Sequence, residues 1–346
     1  MMRSAQKFSI AGIKPDTDTK ANARARLDTG PLCNYRCEFC YYKEHLSERD
    51  SLDTVKQRVD YIWDYGIREI DLSGGESSIE PNWFPILDYC REKGFDNIST
   101  LSHGGRFSKL DFLQKSVDHG LKEILFSLHG YNAETHEAVT GIKGSYDKIL
   151  QAIDNANQLG LVVRINCTVY DVNYKGLAQY YPAIIKRIQP LEVNFIAIKY
   201  NLDNREFRNV PYRKLTDAIK DTIDCIEKDV KYINVRFTPY CYMKGYEKYV
   251  CNVYQHVYDL YDWNRAVYNQ RVDTSKSYTE VEKLKQSYES AANDRMLNYY
   301  KDDNCRDCMH YYICDGIDKS LEETELYPIY GDKLLEVNHY RKGFYD

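Results

Sequence analysis

The stretch LDTGPLCNYRCEFCYY, residues 27–42, places three cysteines within eight positions directly behind a short strand-like segment. Cys33, Cys37 and Cys40 have the spacing C-x3-C-x2-C. Thiolates are soft ligands that suit zinc and iron–sulfur clusters. A structural zinc site uses four closed ligands, and the candidate for a fourth, His45, stands just outside the tight loop. The spacing therefore favours an iron–sulfur cluster over zinc, and both over three unrelated buried cysteines.

Short strand-like and longer helix-like segments alternate around this loop. The predicted strands are 23–29, 68–73, 97–102, 122–128, 161–169 and 191–198, and the predicted helices are 51–66, 82–94, 109–120, 145–160 and 175–188. Alternation with this spacing indicates parallel βαβ units, which form either a full or partial barrel or a doubly wound sheet. In both cases ligands gather at the carboxyl ends of the strands. We therefore expect the chemistry just behind each strand.

Composition narrows the class of protein. The 346 residues are 43% hydrophobic, and the formal net charge is −5. This charge does not indicate a protein that binds nucleic acid over a large surface. No apolar run approaches the roughly 20 residues that cross a bilayer, and the N-terminus lacks a secretory signal. We expect a cytoplasmic protein with neither a membrane nor a nucleic acid as partner. In that compartment, eleven cysteines indicate metal sites or reactive thiols rather than disulfides.

The cysteine loop resembles that of the radical S-adenosylmethionine (SAM) superfamily, because its C-x3-C-x-aromatic-C motif is complete with Phe39 as the aromatic residue. The resemblance implies a 4Fe-4S cluster on Cys33, Cys37 and Cys40, with one iron left for the amino and carboxylate groups of SAM. Reductive cleavage of SAM would then yield a 5′-deoxyadenosyl radical, with flavodoxin or ferredoxin as electron donor. The implied fold is α/β, a partial (β/α)6 TIM-like barrel with a smaller C-terminal iron–sulfur-bearing module.

Further positions match this family more loosely. Glu76 follows two glycines behind the second predicted strand, as in the GGE motif that binds the SAM amino group in the family. Arg164 and Asn166 share one face of the fifth predicted strand, where they either serve the cofactor or face a wet barrel interior. His103 either lines the pocket or is a plain loop histidine. The expected cofactor-binding residues are Phe39, Gly74, Gly75, Glu76, Ser127, Arg164 and Asn166.

A second cysteine group lies near the C-terminus, in CRDCMHYYIC at residues 305–314. Its C-x2-C-x5-C spacing resembles the SPASM and twitch extensions, which hold auxiliary iron–sulfur clusters. The full SPASM pattern continues with a further cysteine, but Asp318 stands at that position and no cysteine follows Cys314. The resemblance therefore implies one auxiliary 4Fe-4S cluster, on Cys305, Cys308, Cys314 and one upstream ligand. Zinc at this second site is the main alternative.

Two cysteines could supply the upstream ligand. Cys241 lies at the end of a further predicted strand, 231–241, in a turn between Pro239 and Gly245, and such an anchored position suits a ligand. Cys251 lies in a stretch of helical propensity, where a small buried cysteine is the ordinary interpretation. We therefore favour Cys241, with Cys251 left open.

The predicted domains are an N-terminal extension (1–23), a radical SAM barrel (24–229) and an auxiliary-cluster module (230–346). Because this extension is short, we expect neither a cobalamin-binding domain nor a fused peptide-recognition domain ahead of the barrel. The first hypothesis for the reaction is hydrogen abstraction from a small polar metabolite (a sugar, nucleotide sugar or nucleoside), followed by oxidation, dehydration or epimerisation. Two alternatives stay open: modification of a peptide or protein side chain, and a non-catalytic zinc- or cluster-bearing structural module. The catalytic hydrogen donor is also open among Cys251, His129 and several tyrosines.

Overall fold

The computed structural model describes residues 24–40, 42–64, 68–198, 210–251, 299–319 and 325–334. Within these ranges, eight parallel strands form one sheet in strict chain order, and the sheet curls into a half-barrel. This confirms the predicted α/β partial barrel, with eight strands in place of six. The strands are β1 (Arg24–Asp28), β2 (Glu69–Ser73), β3 (Asn97–Ser102), β4 (Leu121–Ser127), β5 (Val162–Val169), β6 (Glu192–Ala197), β7 (Tyr232–Arg236) and β8 (Val250–Cys251).

Helices connect the strands and pack with them in one hydrophobic core. They are α1 (Leu52–Asp64), α2 (Trp83–Lys93), α3 (Leu110–Asp118), α4 (Ala133–Thr140), α5 (Ser145–Gln158), α6 (Tyr174–Ile188) and α7 (Tyr212–Ile226). Of Ser51 and Asp53, the two residues that the sequence offers as caps of α1, Ser51 caps the helix, since its hydroxyl accepts the backbone N–H of Thr54 at 3.1 Å. The predicted helices thus exist with ends shifted by one or two residues.

The alternation of side chains along each strand separates a core face from a polar interior face. On β5, Ile165 and Cys167 are fully buried in the hydrophobic core, while Arg164 and Asn166 project to the opposite face. Because the sheet is parallel and in register, the equivalent polar residues of adjacent strands lie beside them. This arrangement gives the half-barrel a polar lumen, and the loops at the carboxyl ends of the strands surround its mouth.

Three features differ from the pattern that the sequence predicts. Helix α4 was not predicted; it begins at a capping box formed by Asn132 and Thr135 and ends at Gly141 in the left-handed region (φ 68°). Strands β7 and β8 fall within the predicted module 230–346, yet they extend the barrel sheet beyond β6. Cys251, which the sequence places in a helical stretch, lies in β8.

The C-terminal cysteines lie between two short antiparallel strands, β9 (Tyr299–Tyr300) and β10 (Ile317–Asp318). The predicted extension 1–23 lies outside the described residues. In the part of the chain that the structure describes, no helix combines the length and apolar character needed to cross a membrane.

Candidate functional site

The cysteine loop follows β1 at the carboxyl edge of the sheet. Backbone hydrogen bonds hold it at several points: the N–H of Cys33 donates to the carbonyl of Leu46 (3.0 Å), and the N–H of Arg36 donates to that of Thr140 (3.0 Å). The N–H of Glu38 similarly donates to the last turn of α4 (3.0 Å). The unpredicted helix α4 therefore supports the loop from one side.

The three thiols of this loop lie close enough to influence one another. Burial raises the pKa of Cys33 to about 12, and the neighbouring Glu76 and Cys40 raise it further. Burial also raises the pKa of Cys37, followed by the charges of Cys33 and Cys40. Three partly buried thiols around one point are a donor set that fits an iron–sulfur cluster. Among the described residues, no group of three or more Cys, His, Asp or Glu side chains is arranged to hold a single metal ion.

The turn behind β2 docks directly on the cysteine loop. The N–H of Gly75 donates to the carbonyl of Gly30 (2.8 Å), and the N–H of Glu76 donates to that of Leu32 (2.7 Å). A Cβ atom on Gly75 would overlap the carbonyl oxygens of Pro31 and Leu32, and a Cβ on Gly74 (φ 124°) would overlap that of Gly30. The two glycines are thus required for the close approach of two backbones.

Glu76 is buried beneath this contact, with 1% of its surface exposed. Its Oε1 atom accepts the hydroxyl of Ser102 (2.8 Å) and that of Ser78, and its Oε2 atom accepts the backbone N–H of His103 (2.8 Å). These donors are all neutral, so they solvate the carboxylate without cancelling its charge. A buried carboxylate held in this way is suited to receive a cationic group.

The other lumen residues that the sequence singles out lie at the same level of the sheet. Phe39 packs edge-on against His129, with ring centroids 5.0 Å apart. Ser127 is the last residue of β4 and pairs in register with Asn166 of β5, and both side chains are half-buried. The amide nitrogen of Asn173 donates to the carbonyl oxygen of His129 at 2.6 Å, which fixes the end of the loop behind β4.

Arg164 has a different setting from the one predicted. Its guanidinium lies 3.2 Å from Asp71 and 4.0 Å from Glu192, and it also contacts Glu123. Glu192 is the first residue of β6, so this ion cluster lies toward the amino ends of the strands. The position favours a structural role for Arg164 over the predicted role in cofactor binding, because three carboxylates already surround it.

The C-terminal cysteines meet a cysteine of the barrel at a second place. One cavity of about 310 Å³, its open mouth included, is lined by Cys241, Cys305, Cys308 and Cys314. Burial raises the pKa of Cys241 to about 12, and the other three thiols add to the shift. Cys251 does not line this cavity and is buried in β8.

Some residues at the first site carry little or no signal in the sequence. The ring of Tyr35 stacks on that of His103, with centroids 3.5 Å apart and planes within 3°. The Nε2 atom of His103 also lies 2.9 Å from Oδ1 of Asn34. Tyr35 and Asn34 stand between the cysteines without a motif of their own. The position of His103 directly behind a predicted strand indicates that it lies near the cysteine loop, but it does not indicate that Tyr35 and Asn34 are its contacts.

Comparisons with known proteins agree with this geometry. Residues 27–181 match the family described as Radical SAM superfamily. Over 147 residues the chain is 31% identical to a probable GTP 3′,8-cyclase of Thermoplasma volcanium, a match that covers 42% of this chain and 44% of that protein. It is also 31% identical over 147 residues to the antilisterial bacteriocin subtilosin biosynthesis protein AlbA of Bacillus subtilis, covering 41% and 32%. The chain thus spans less than half the length of these relatives.

A solved structure shares the fold. The structure of SuiB from Streptococcus suis superimposes with a TM-score of 0.50 and 13% sequence identity, covering 82% of this chain and 56% of that one. At this identity the likeness concerns the architecture alone, and it agrees with the half-barrel described above.

Proposed function

We propose that residues 27–181, which match the Radical SAM superfamily, hold a 4Fe-4S cluster on Cys33, Cys37 and Cys40 and bind SAM beside it. When bound, this cofactor pair supplies a 5′-deoxyadenosyl radical that abstracts hydrogen from a substrate. One observation carries the proposal: the Gly74–Gly75 turn joins the three-thiol loop to a buried carboxylate, that of Glu76. Loop and carboxylate are the two parts that such a site needs.

The residues of the chain have distinct tasks in this proposal. Glu76 accepts the ammonium group of SAM, because its charge is buried and its present donors are neutral. Phe39 packs against His129 and shields the loop from water. Ser127 and Asn166 face the lumen at the carboxyl end of the sheet, where their hydroxyl and amide groups can orient the polar parts of the cofactor.

A second 4Fe-4S cluster is proposed on Cys241, Cys305, Cys308 and Cys314. The support is that these four thiols line one common cavity. Zinc also binds four thiolates, and metal analysis distinguishes it from an iron–sulfur cluster. Such a cluster would supply an acceptor for an electron from the substrate radical.

The proposed substrate is a small polar metabolite of the sugar or nucleoside kind. The lumen is lined by amide groups, and the amide of Asn234 donates to that of Asn194 at 2.6 Å. Such side chains recognise hydroxyl and base groups by hydrogen bonds. One relative is named as a GTP cyclase, and its named substrate is a nucleotide. A peptide substrate is the second candidate, because the similarity to AlbA is equally strong over the same length. Flavodoxin or ferredoxin is the proposed electron donor.

Anaerobic reconstitution followed by metal and product analysis tests the proposal. We expect about eight irons per chain, four for each cluster, and release of 5′-deoxyadenosine from SAM with dithionite. The triple variant Cys33→Ala, Cys37→Ala, Cys40→Ala should lose this cleavage, whereas Cys225→Ala, at an exposed thiol, should keep it. Retained cleavage in the triple variant, or zinc without iron in the wild type, would contradict the proposal.

A further inference from the structure

The carboxylate of Glu76 has few places left for a ligand. An ionised carboxylate offers about four acceptor positions. Three are occupied, by the hydroxyls of Ser78 and Ser102 and by the backbone N–H of His103. The remaining position is on Oε2, which lies 3.3 Å from the Nε2 atom of His103. The imidazole of His103 is therefore placed to compete with an incoming ammonium group.

The protonation pattern of His103 follows from its contacts. Its Nδ1 atom accepts the backbone N–H of Gly105 at 3.0 Å, so Nδ1 carries no proton. Burial lowers the pKa of His103, so the ring is neutral and its one proton is on Nε2. The Nε2–H group therefore needs an acceptor, and two are within reach: Oδ1 of Asn34 at 2.9 Å and Oε2 of Glu76 at 3.3 Å.

The geometry favours Asn34 as the acceptor. The contact between Nε2 and Oδ1 has the length of an ordinary hydrogen bond, whereas the contact with Glu76 lies beyond the usual range. The stack of Tyr35 on the imidazole face prevents the ring from tilting away from this position. Asn34 and Tyr35 belong to the cysteine loop, so the loop itself determines where the proton of His103 points.

We propose that Asn34 and His103 act as a positioning pair: Asn34 accepts the Nε2–H of His103 and thereby keeps one acceptor position of Glu76 free for the ammonium group of SAM. This inference rests on the proposed function, since it assumes that Glu76 receives that group. It makes SAM binding depend on a correctly placed cysteine loop, even before any chemistry occurs.

Substitution of Asn34 tests the pair. In Asn34→Leu, which keeps the size but removes the acceptor, the Nε2–H of His103 turns to Glu76, and the Kd for SAM should rise about tenfold or more, as for the loss of one hydrogen bond to a charged group. Asn34→Gln keeps a neutral amide oxygen as acceptor and should stay within about threefold of the wild type. Equilibrium dialysis with labelled SAM measures both, on protein with verified iron content.

Two further measurements separate this role from a general loosening of the loop. The SAM analogue with hydrogen in place of the α-amino group should bind the wild type and Asn34→Leu with the same Kd, because it does not use the free position. In the double variant Asn34→Leu, His103→Phe, the competing donor is absent, so the Kd for SAM should return to that of His103→Phe alone. His119→Phe, a histidine paired with Asp88 on the outer surface, is the matched control.

The outcomes distinguish a failure of the proposed function from a failure of the positioning pair. Wild-type protein with full iron content that binds neither SAM nor its analogue contradicts the proposed function. Wild-type binding with an unchanged Kd in Asn34→Leu contradicts the positioning pair alone. An equal loss of both ligands in Asn34→Leu also contradicts it, since that result indicates only a disordered loop.

Discussion

At the scale of single residues, the glycines behind β2 have a steric reason to be glycine. Gly75 has an ordinary backbone conformation, so only space restricts this position. The carbonyl oxygens of Pro31 and Leu32 occupy the volume of a side chain. A motif that the sequence analysis assigned to cofactor binding is thus also the contact that joins the cysteine loop to β2.

Gly75→Ala should disrupt this contact. Because backbone atoms rather than flexible side chains would meet the new methyl group, we expect the free energy of unfolding to fall by about 3 kcal/mol. Iron content should fall to about half the wild-type value, because the auxiliary site is separate. Urea denaturation and iron analysis measure the two effects.

Gly160→Ala provides the control for this prediction. Gly160 has φ 71° and open space around it, so an alanine there meets only backbone strain of about 1 kcal/mol. The control should retain its full iron content. If Gly75→Ala is as stable as the control and equally rich in iron, close docking of the two turns is not required.

At the scale of an element, β5 supplies both the core and the lumen. Its buried apolar residues pack in the core, while Arg164 neutralises part of the charge of Glu123 on the adjacent β4 and of Asp71 on β2 across the lumen. Asn97 donates to Glu123 at 2.9 Å and continues this cluster to β3. The amino end of the lumen is therefore closed by ion pairs rather than by apolar side chains.

Arg164→Met should destabilise the barrel strongly. The substitution keeps the length of the side chain but leaves buried carboxylates without their cation, which typically costs about 3–5 kcal/mol. Arg187→Met removes an ion pair with Asp154 in which both side chains are about half exposed, and should cost less than about 1 kcal/mol. Thermal and urea unfolding of the two variants measure these losses of stability. Similar losses would show that the buried cluster stabilises the barrel no more than the exposed ion pair does.

At the scale of the whole molecule, the second cysteine site links the barrel to the C-terminal segment. Cys241 follows β7, whereas its three partners come from residues 305–314. Stacking of Tyr240 on His310, with centroids 4.4 Å apart, connects the same two parts. A metal group in this cavity would therefore act as a crosslink between regions distant in sequence.

Cys241→Ala should remove this crosslink. We expect iron to fall from about eight to about four per chain and amide hydrogen exchange of residues 305–316 to accelerate, since the segment loses its anchor. Cys251→Ala, at a buried cysteine outside the cavity, should keep both properties. The reverse pattern would transfer the ligand role to Cys251. Mass spectrometry and iron analysis of both variants give the answer.

Several elements could not be predicted because they are too short to carry a recognisable hydrophobic pattern. Helix α4 has only eight residues and no long apolar stripe, so it reads as a loop, although its capping box is visible once the helix is known. Strand β8 has two residues, too few for an alternation pattern. The assignment of β7 and β8 to the barrel sheet depends on pairing with distant strands, which no local pattern encodes.

The sequence by itself determined the alternation of strands and helices, the cysteine spacing and the GGE turn, because each of these depends on neighbours within a few residues. The tertiary structure alone decided which residues meet across the sheet. It placed Cys241 rather than Cys251 with the C-terminal thiols, surrounded Arg164 with carboxylates, and set His103 between Asn34 and Glu76. Such contacts join residues tens of positions apart, and the folding of the sheet brings them together.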